Sequence, residues 1–337
     1  MTMRFLALAL MPILALPSHA QKKGKDVLAG YDKSARATIL HPAIVYVGPD
    51  DTAQKVAEVT PGHEMVIVDH SGPWVKVFAN TDTADTQDPD TEAEFTSPDD
   101  AKVPSSGWIR DKGLVTSATP NGDAILFGAA AELEDQAEKP HAPKDAAVGA
   151  HLLYRRVFEY FPSSNLAGES AFRSADIRWQ LEKTDISTLP SAKEQEAYLR
   201  PQLYEGDLKR VIKRFPQSEF AGKAAYDLID NKLCGDWQGL PKCPEMEANL
   251  YMKYVEQWPA SPRAPEAFYN AIYRTGVLVT MYEVQDNKKR AETAAARVGT
   301  LAAEMHVKYP NSDFTRRADS LAFRVKQGLS IYGNDRE

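Results

Sequence analysis

Catalysis and metal binding need nucleophiles, general bases or clustered ligands, and this 337-residue chain offers few of them in working combinations. Its only two cysteines, Cys234 and Cys243, flank a connection containing Gly235, Gly239 and Pro241 that can fold back on itself. An even count and a reversible path favour a disulfide, with free buried thiols as the alternative. Closing so short a loop contributes about 2 to 3 kcal/mol in the chain-entropy account. A zinc site needs four ligands and this segment supplies two. A Cys/His nucleophilic pair is the sharper reading, but no His-bearing strand adjoins either cysteine. The histidines are scattered: His63 and His70 fall on or beside strands, and His306 falls on a helix. No His-Glu-x-x-His, Gly-x-Ser-x-Gly or phosphate-binding glycine loop occurs. The chain therefore reads as non-enzymatic, with no catalytic residue, no metal and no cofactor. Asp82, Asp85, Asp88, Asp90 and Glu92 supply hard oxygens that calcium would accept. Their spacing does not follow the EF-hand and lacks its turn glycine, so a solvated acidic loop is the expected form, with a cation site as the alternative.

The outer bounds come from charge and from the first residues. Forty basic against 47 acidic side chains leave a net charge of -7, which argues against nucleic acid as a partner because phosphate neutralisation needs a basic face. Arg4, an apolar run over residues 5–16 and the small residues Ser18 and Ala20 have the form of an export signal over residues 1–20, with cleavage after Ala20. An uncleaved anchor or a buried helix is the alternative. No cysteine follows the run, so the thiol for lipid attachment is missing. The expected location is the bacterial periplasm, where an association peripheral to the outer membrane is open to it. No later stretch is apolar enough for a transmembrane helix, and the mean hydropathy is -0.43.

The elements that would carry any binding residues divide the chain in two. Residues 32–115 read as short alternating strands punctuated by Gly/Pro turns, which indicates a small all-β barrel or sandwich. Within them, residues 80–106 are rich in Asp, Glu, Thr, Ser and Pro, and are expected to stay disordered. Residues 116–143 read as a linker and a first helix, and residues 144–332 as an α-helical array.

The β region has Gly48-Pro49 after its first strand, Gly62 before the central strand, then Trp74 to Val77 and Gly107-Trp108-Ile109. This order resembles the bacterial SH3-like (SH3b) domain. Tyr46-Val47 and the long insertion depart from its pattern. The resemblance implies a recognition role towards cell-wall peptides or other polypeptides, carried by an aromatic surface. Tyr46, Trp74 and Trp108 are the ligand-binding candidates. Burial of both tryptophans in the barrel core is the competing reading.

The helical region contains one motif four times: Phe161-Pro162-Ser163-Ser164, Phe215-Pro216-Gln217-Ser218, Trp258-Pro259-Ala260-Ser261 and Tyr309-Pro310-Asn311-Ser312. Before each proline, apolar residues recur at helical spacing, as in Val211, Ile212 and Phe215. Proline disfavours helix in the residue before it, so one helix must stop at the aromatic. The serine two residues on can cap the next helix, and Pro262 is expected at a first helical position. Helical hairpins at intervals of roughly forty to fifty residues stack into a solenoid, because none can bury its apolar stripe alone. The period is uneven, broken by inserts over residues 184–201 and at the cysteine loop.

Motifs of this kind resemble the tetratricopeptide-like (TPR-like) repeats of bacterial envelope proteins, in the outer-membrane assembly lipoprotein and Tol-Pal coordinator class. The implied function is a periplasmic scaffold binding proteins or peptides of the cell envelope. A peptidoglycan-binding module using the SH3-like region and a regulator of a cell-wall hydrolase or degenerate enzyme are the alternatives. The basic pairs Arg155-Arg156, Lys209-Arg210, Lys213-Arg214 and Arg316-Arg317 would suit acidic peptides or anionic lipid if they line a groove. They would be a solvated outer face otherwise.

Overall fold

The computed structural model describes residues 35–83 and 105–333. The expected export signal over residues 1–20 and most of the acidic insertion lie outside them. Strands β1 (Arg36–Ile39), β2 (Ala43–Tyr46), β3 (Lys55–Val59), β4 (Glu64–Ser71), β5 (Trp74–Ala79), β6 (Ser105–Arg110) and β7 (Leu114–Thr116) form one antiparallel sheet in the order β3-β2-β6-β5-β4-β1-β7. The closed barrel expected from the strand pattern does not form, since no ladder joins β3 to β7 among the described residues. One physical reason lies at β7, where Val115 is buried with helical residues and not against β3. Alternation sends Val75, Val77 and Ala79 to one face, where they bury Val45, Met65 and Ile109 with them.

Nine helices follow among the described residues: α1 (Gly122–Ala137), α2 (Ala146–Tyr160), α3 (Ala167–Ser187), α4 (Gly206–Arg214), α5 (Glu219–Asp227), α6 (Lys242–Gln257), α7 (Ala264–Val284), α8 (Lys288–Lys308) and α9 (Asp313–Lys326). None is long and apolar enough to cross a membrane. Each packs on its chain neighbour: α5 and α6, which the cysteine loop separates in sequence, meet through Tyr226 against Tyr251 and Tyr254 and through the Tyr254 hydroxyl donating to the Gly222 carbonyl at 2.8 Å, and α3 also packs on α5 and α7 on α9. The result is an antiparallel sheet followed by helical hairpins stacked in chain order.

All four motif junctions share one geometry. Phe161, Phe215, Trp258 and Tyr309 terminate α2, α4, α6 and α8 with φ of -124°, -127°, -128° and -133° and ψ of 58°, 50°, 53° and 56°. Each of these residues donates its N–H to the carbonyl four residues back. Each then accepts from the N–H of the motif serine at 3.0 to 3.1 Å, which turns the chain. The serine caps differ. Ser218 and Ser312 accept from the first-turn amides of α5 and α9, whereas Ser164 and Ser261 accept from Leu166 and Arg263, ahead of their helices. Pro262 accordingly falls in the turn, and Pro265 takes the early helical position in α7. The rings plug the space between hairpins: Phe215 packs against Gly168 at the start of α3, and Trp258 against Gly222 in α5. Tyr309 meets Phe268 edge-on at 6.3 Å.

Candidate functional site

Three places offer clustered aromatics, buried charge or an open cleft. The first is the face of the sheet opposite its core. Register pairs Trp74 with Arg110, and Trp108 with both Lys76 and Tyr46, so these five side chains share that face. Tyr46 meets Trp74 edge-on at 5.6 Å, the Arg110 guanidinium stacks on Trp74 at 4.2 Å, and Lys76 lies 5.9 Å from the Trp108 ring. Arg110 is held by Asp51. Trp74 is only 5% exposed, yet neither tryptophan belongs to the sheet's apolar core. The structure thus brings Tyr46, Trp74 and Trp108 together, and their burial is by cations and one another. Strand parity in Trp74-Val75-Lys76-Val77 already carried that signal, because Trp74 shares a face with Lys76 and not with the two valines.

The second place joins the sheet to the helices. Arg156 on α2 is 1% exposed. It donates to Asp82 at 2.5 Å, to Glu159 at 2.5 Å and to the Gly62 carbonyl at 2.9 Å, with Glu64 3.9 Å away. Asp82 also contacts His63 at 3.3 Å, and Tyr160 donates to Glu64. Burial works against the Asp82 carboxylate, but His63 and Arg156 outweigh it and hold its pKa below the ordinary value. For Glu64 burial prevails over Arg156 and Arg36, and its pKa is raised. Gly62 has φ of 84°, and a Cβ there would stand 2.5 Å from that of Leu152, so the sheet turn can approach α2 only as glycine. Asp82 therefore does not belong to a solvated acidic loop: residues 81–83 form a 3-10 turn whose carboxylate is consumed by Arg156. Asp85, Asp88, Asp90 and Glu92 lie outside the described residues. Among those described, no three His, Cys, Asp or Glu side chains are grouped to hold a metal ion.

The remaining basic pairs do not form one groove. Arg155 pairs with Glu159, Arg210 with Asp207 and Arg316 with Asp313, while Arg214 and Arg317 stack on Phe158 and Phe314. Arg155, Arg210 and Arg214 do line a narrow cleft between α2 and α4, of about 10 Å³, room for roughly one water.

The third place is built by the two inserts that interrupt the repeat. Cys234 and Cys243 form a disulfide with Cα atoms 6.0 Å apart. The loop it closes pairs with the segment after α3: Gly235 N–H donates to Glu194 at 3.0 Å and Asp236 N–H to Lys193 at 3.1 Å. Arg200 donates to the carbonyls of Ala192 and Leu233, and Lys242 bridges to Glu196 at 2.6 Å. A Cβ on Gly235 would stand 2.4 Å from the Glu194 oxygen, so this approach also requires glycine. Behind the loop, Glu247 is 1% exposed and accepts from Cys234 N–H, from the Trp237 indole and from Arg274 at 2.6 Å. Between the inserts lies a cleft of about 370 Å³ lined by Glu196, Tyr198, Lys232, Lys242, Met246 and the disulfide. Sequence reasoning singled out the cysteines and missed Tyr198, Lys232 and Met246. The available signal was the uneven repeat period, which marks both walls of the cleft.

No protein-family model matches the chain, and no curated protein matches it. Among solved structures, a de novo designed helical repeat protein aligns with 18% identity and a TM-score of 0.21, over 62% of this chain and 91% of its own.

Proposed function

We propose that the protein is a non-enzymatic scaffold that binds polypeptides of the bacterial cell envelope from the periplasm, with its helices as TPR-like repeats and its sheet as an SH3-like module. The observation that carries this reading is the fourfold identical junction, because hairpins stacked in order expose a long surface whose loops vary without disturbing the core. The disulfide supports export, since such bonds persist in oxidising compartments. The test is capture on immobilised, disulfide-intact full chain from a detergent-solubilised envelope fraction, with the urea-denatured chain as control. A small reproducible set of polypeptides, retained only by the folded chain, is expected. Retention of the same set by both forms would overturn the reading.

A second reading, peptidoglycan binding through the sheet, is favoured by one observation. Tyr46, Trp74 and Trp108 stand with Lys76 and Arg110 on the face away from the core. Cosedimentation of the full chain with purified peptidoglycan, lost in Trp108→Ala, would support it over the first.

A further inference from the structure

We infer that the cleft between the two inserts docks an extended segment of a partner protein that presents an apolar side chain beside a carboxylate. The inference rests on the scaffold reading and names the chemistry of its partner.

About 370 Å³ falls in the range of ligand sites, whereas the arginine-lined cleft between α2 and α4 has room for roughly one water. Paired backbone amides, the Arg200 bridge, the Lys242–Glu196 bridge and the disulfide fix both walls, so the cleft is not a gap between loose loops. Inserts in repeat proteins gather on one face, commonly the binding face, and here two of them meet.

The lining selects the occupant. Tyr198 is 77% exposed at the mouth, Met246 is 37% exposed, and the disulfide sulfurs form part of the wall. Aromatic and sulfur-bearing side chains left in solvent gain by covering an apolar group. Among the charged lining residues, Glu196 and Lys242 neutralise each other. Lys232 has no ion pair within 4 Å among the described residues, and Glu205, the carboxylate it attracts at longer range, is already bridged by Lys209, so the charged lining of Glu196, Lys232 and Lys242 leaves the cleft net positive. A carboxylate adjacent to the apolar side chain answers it, and like charge is disfavoured. The walls are surface segments, residues 196–202 and 231–246, which suits a peptide laid across them.

The experiment uses three acetylated, fluorescein-labelled hexapeptides with the centres Asp-Leu-Phe, Lys-Leu-Phe and Asp-Ser-Ser, titrated by anisotropy with the disulfide-intact full chain. The Asp-Leu-Phe peptide is expected to bind about tenfold or more tightly than either of the others. Tyr198→Ala should weaken it by about tenfold with the thermal midpoint unchanged, because the ring is exposed. Lys232→Glu should invert the preference towards the Lys-Leu-Phe peptide. Equal affinity for the three peptides, no binding of any, or indifference to Tyr198→Ala would overturn the inference. Failure here is distinguishable from failure of the scaffold reading. Envelope polypeptides captured equally by wild type and by the Tyr198→Ala, Lys232→Glu double variant leave the scaffold standing without this cleft, and absence of capture by wild type removes the scaffold itself.

Discussion

The sheet meets the helices in one way, and the hairpins meet each other in another. At the first junction a buried guanidinium faces Asp82, Glu64 and Glu159 in polar, directional contacts, beside an apolar seam where Val115 packs with Leu126 and Leu153. Between hairpins an aromatic ring fills a space floored by glycine or flanked by another ring, as Phe215 does on Gly168 and Tyr309 does beside Phe268. Apolar packing tolerates small displacements and lets similar units repeat. A network of charges works only if every partner arrives in place, so it suits a joint that occurs once. The sheet junction thus adds a buried charge network to its apolar contact, whereas the motif rings between hairpins act by volume.

Breaking the polar joint should have the largest effect. Arg156→Met keeps most of the volume but leaves buried Asp82 with only His63 and buried Glu64 with only Arg36 as basic partners, which should cost about 3 to 5 kcal/mol. Denaturant unfolding of the full chain measures it, and the same experiment should separate into two transitions as the sheet and helices lose their coupling. A loss below about 1 kcal/mol would mean solvent already reaches the carboxylates. The apolar joints come next. Phe215→Ala removes a ring packed on both sides and should cost roughly 2 to 4 kcal/mol, less than a fully buried ring because Phe215 keeps some exposure. Tyr309→Ala, at the last hairpin with one neighbour, should cost less. Equal losses would place both rings in one shared core and contradict the stacked arrangement.

These two kinds of joint were unequally legible in the sequence. The hairpin junctions are local: proline acts on the residue before it and serine on the amides after it, so the motif alone located all four turns. The disulfide was legible for the same reason. Pro262 was misplaced because the Ser261 turn runs two residues further before α7 begins. The polar joint was invisible. Arg156 and Asp82 lie 74 residues apart, and each sits in a context whose composition suggests solvent, one in a basic pair and the other in an acidic run. Composition reports what a segment can bury by itself, and a charge buried against a distant partner violates that rule. The open edge of the sheet was missed in the same manner, since Val115 packs with Leu126 and Leu153 of the helices, which strand alternation cannot foresee.

The smallest predicted effect asks what a buried charge does without full pairing. Asp227, at the end of α5, has a buried carboxylate oxygen with no hydrogen-bond partner among the described residues. Burial, with Asp176 and Asp230 adding to it, pushes its pKa up to about 7, while Arg263 and Lys183 oppose the shift. The folded chain then holds this proton up to neutrality, whereas the unfolded chain releases it near 3.8. Stability contributed by Asp227 is therefore complete below the unfolded value and is lost as pH rises towards 7. Half-buried His151 slopes the other way. Desolvation lowers its pKa to about 4, so its contribution is present above the ordinary 6.5 and is lost as pH falls. In the wild type the two slopes oppose each other between about pH 4 and 6.5. Asp227→Asn mimics the protonated side chain and should leave stability little changed near pH 4. It should raise stability at pH 8 by roughly 1 to 3 kcal/mol, discounted from the full shift because Arg263, Lys183 and solvent can rearrange. With the aspartate slope removed, the variant should gain stability steadily from pH 4 to 6.5, which exposes the histidine. Urea unfolding of both proteins across this range decides the matter. Parallel curves would show that Asp227 is ionised at neutral pH and as well paired as Asp82.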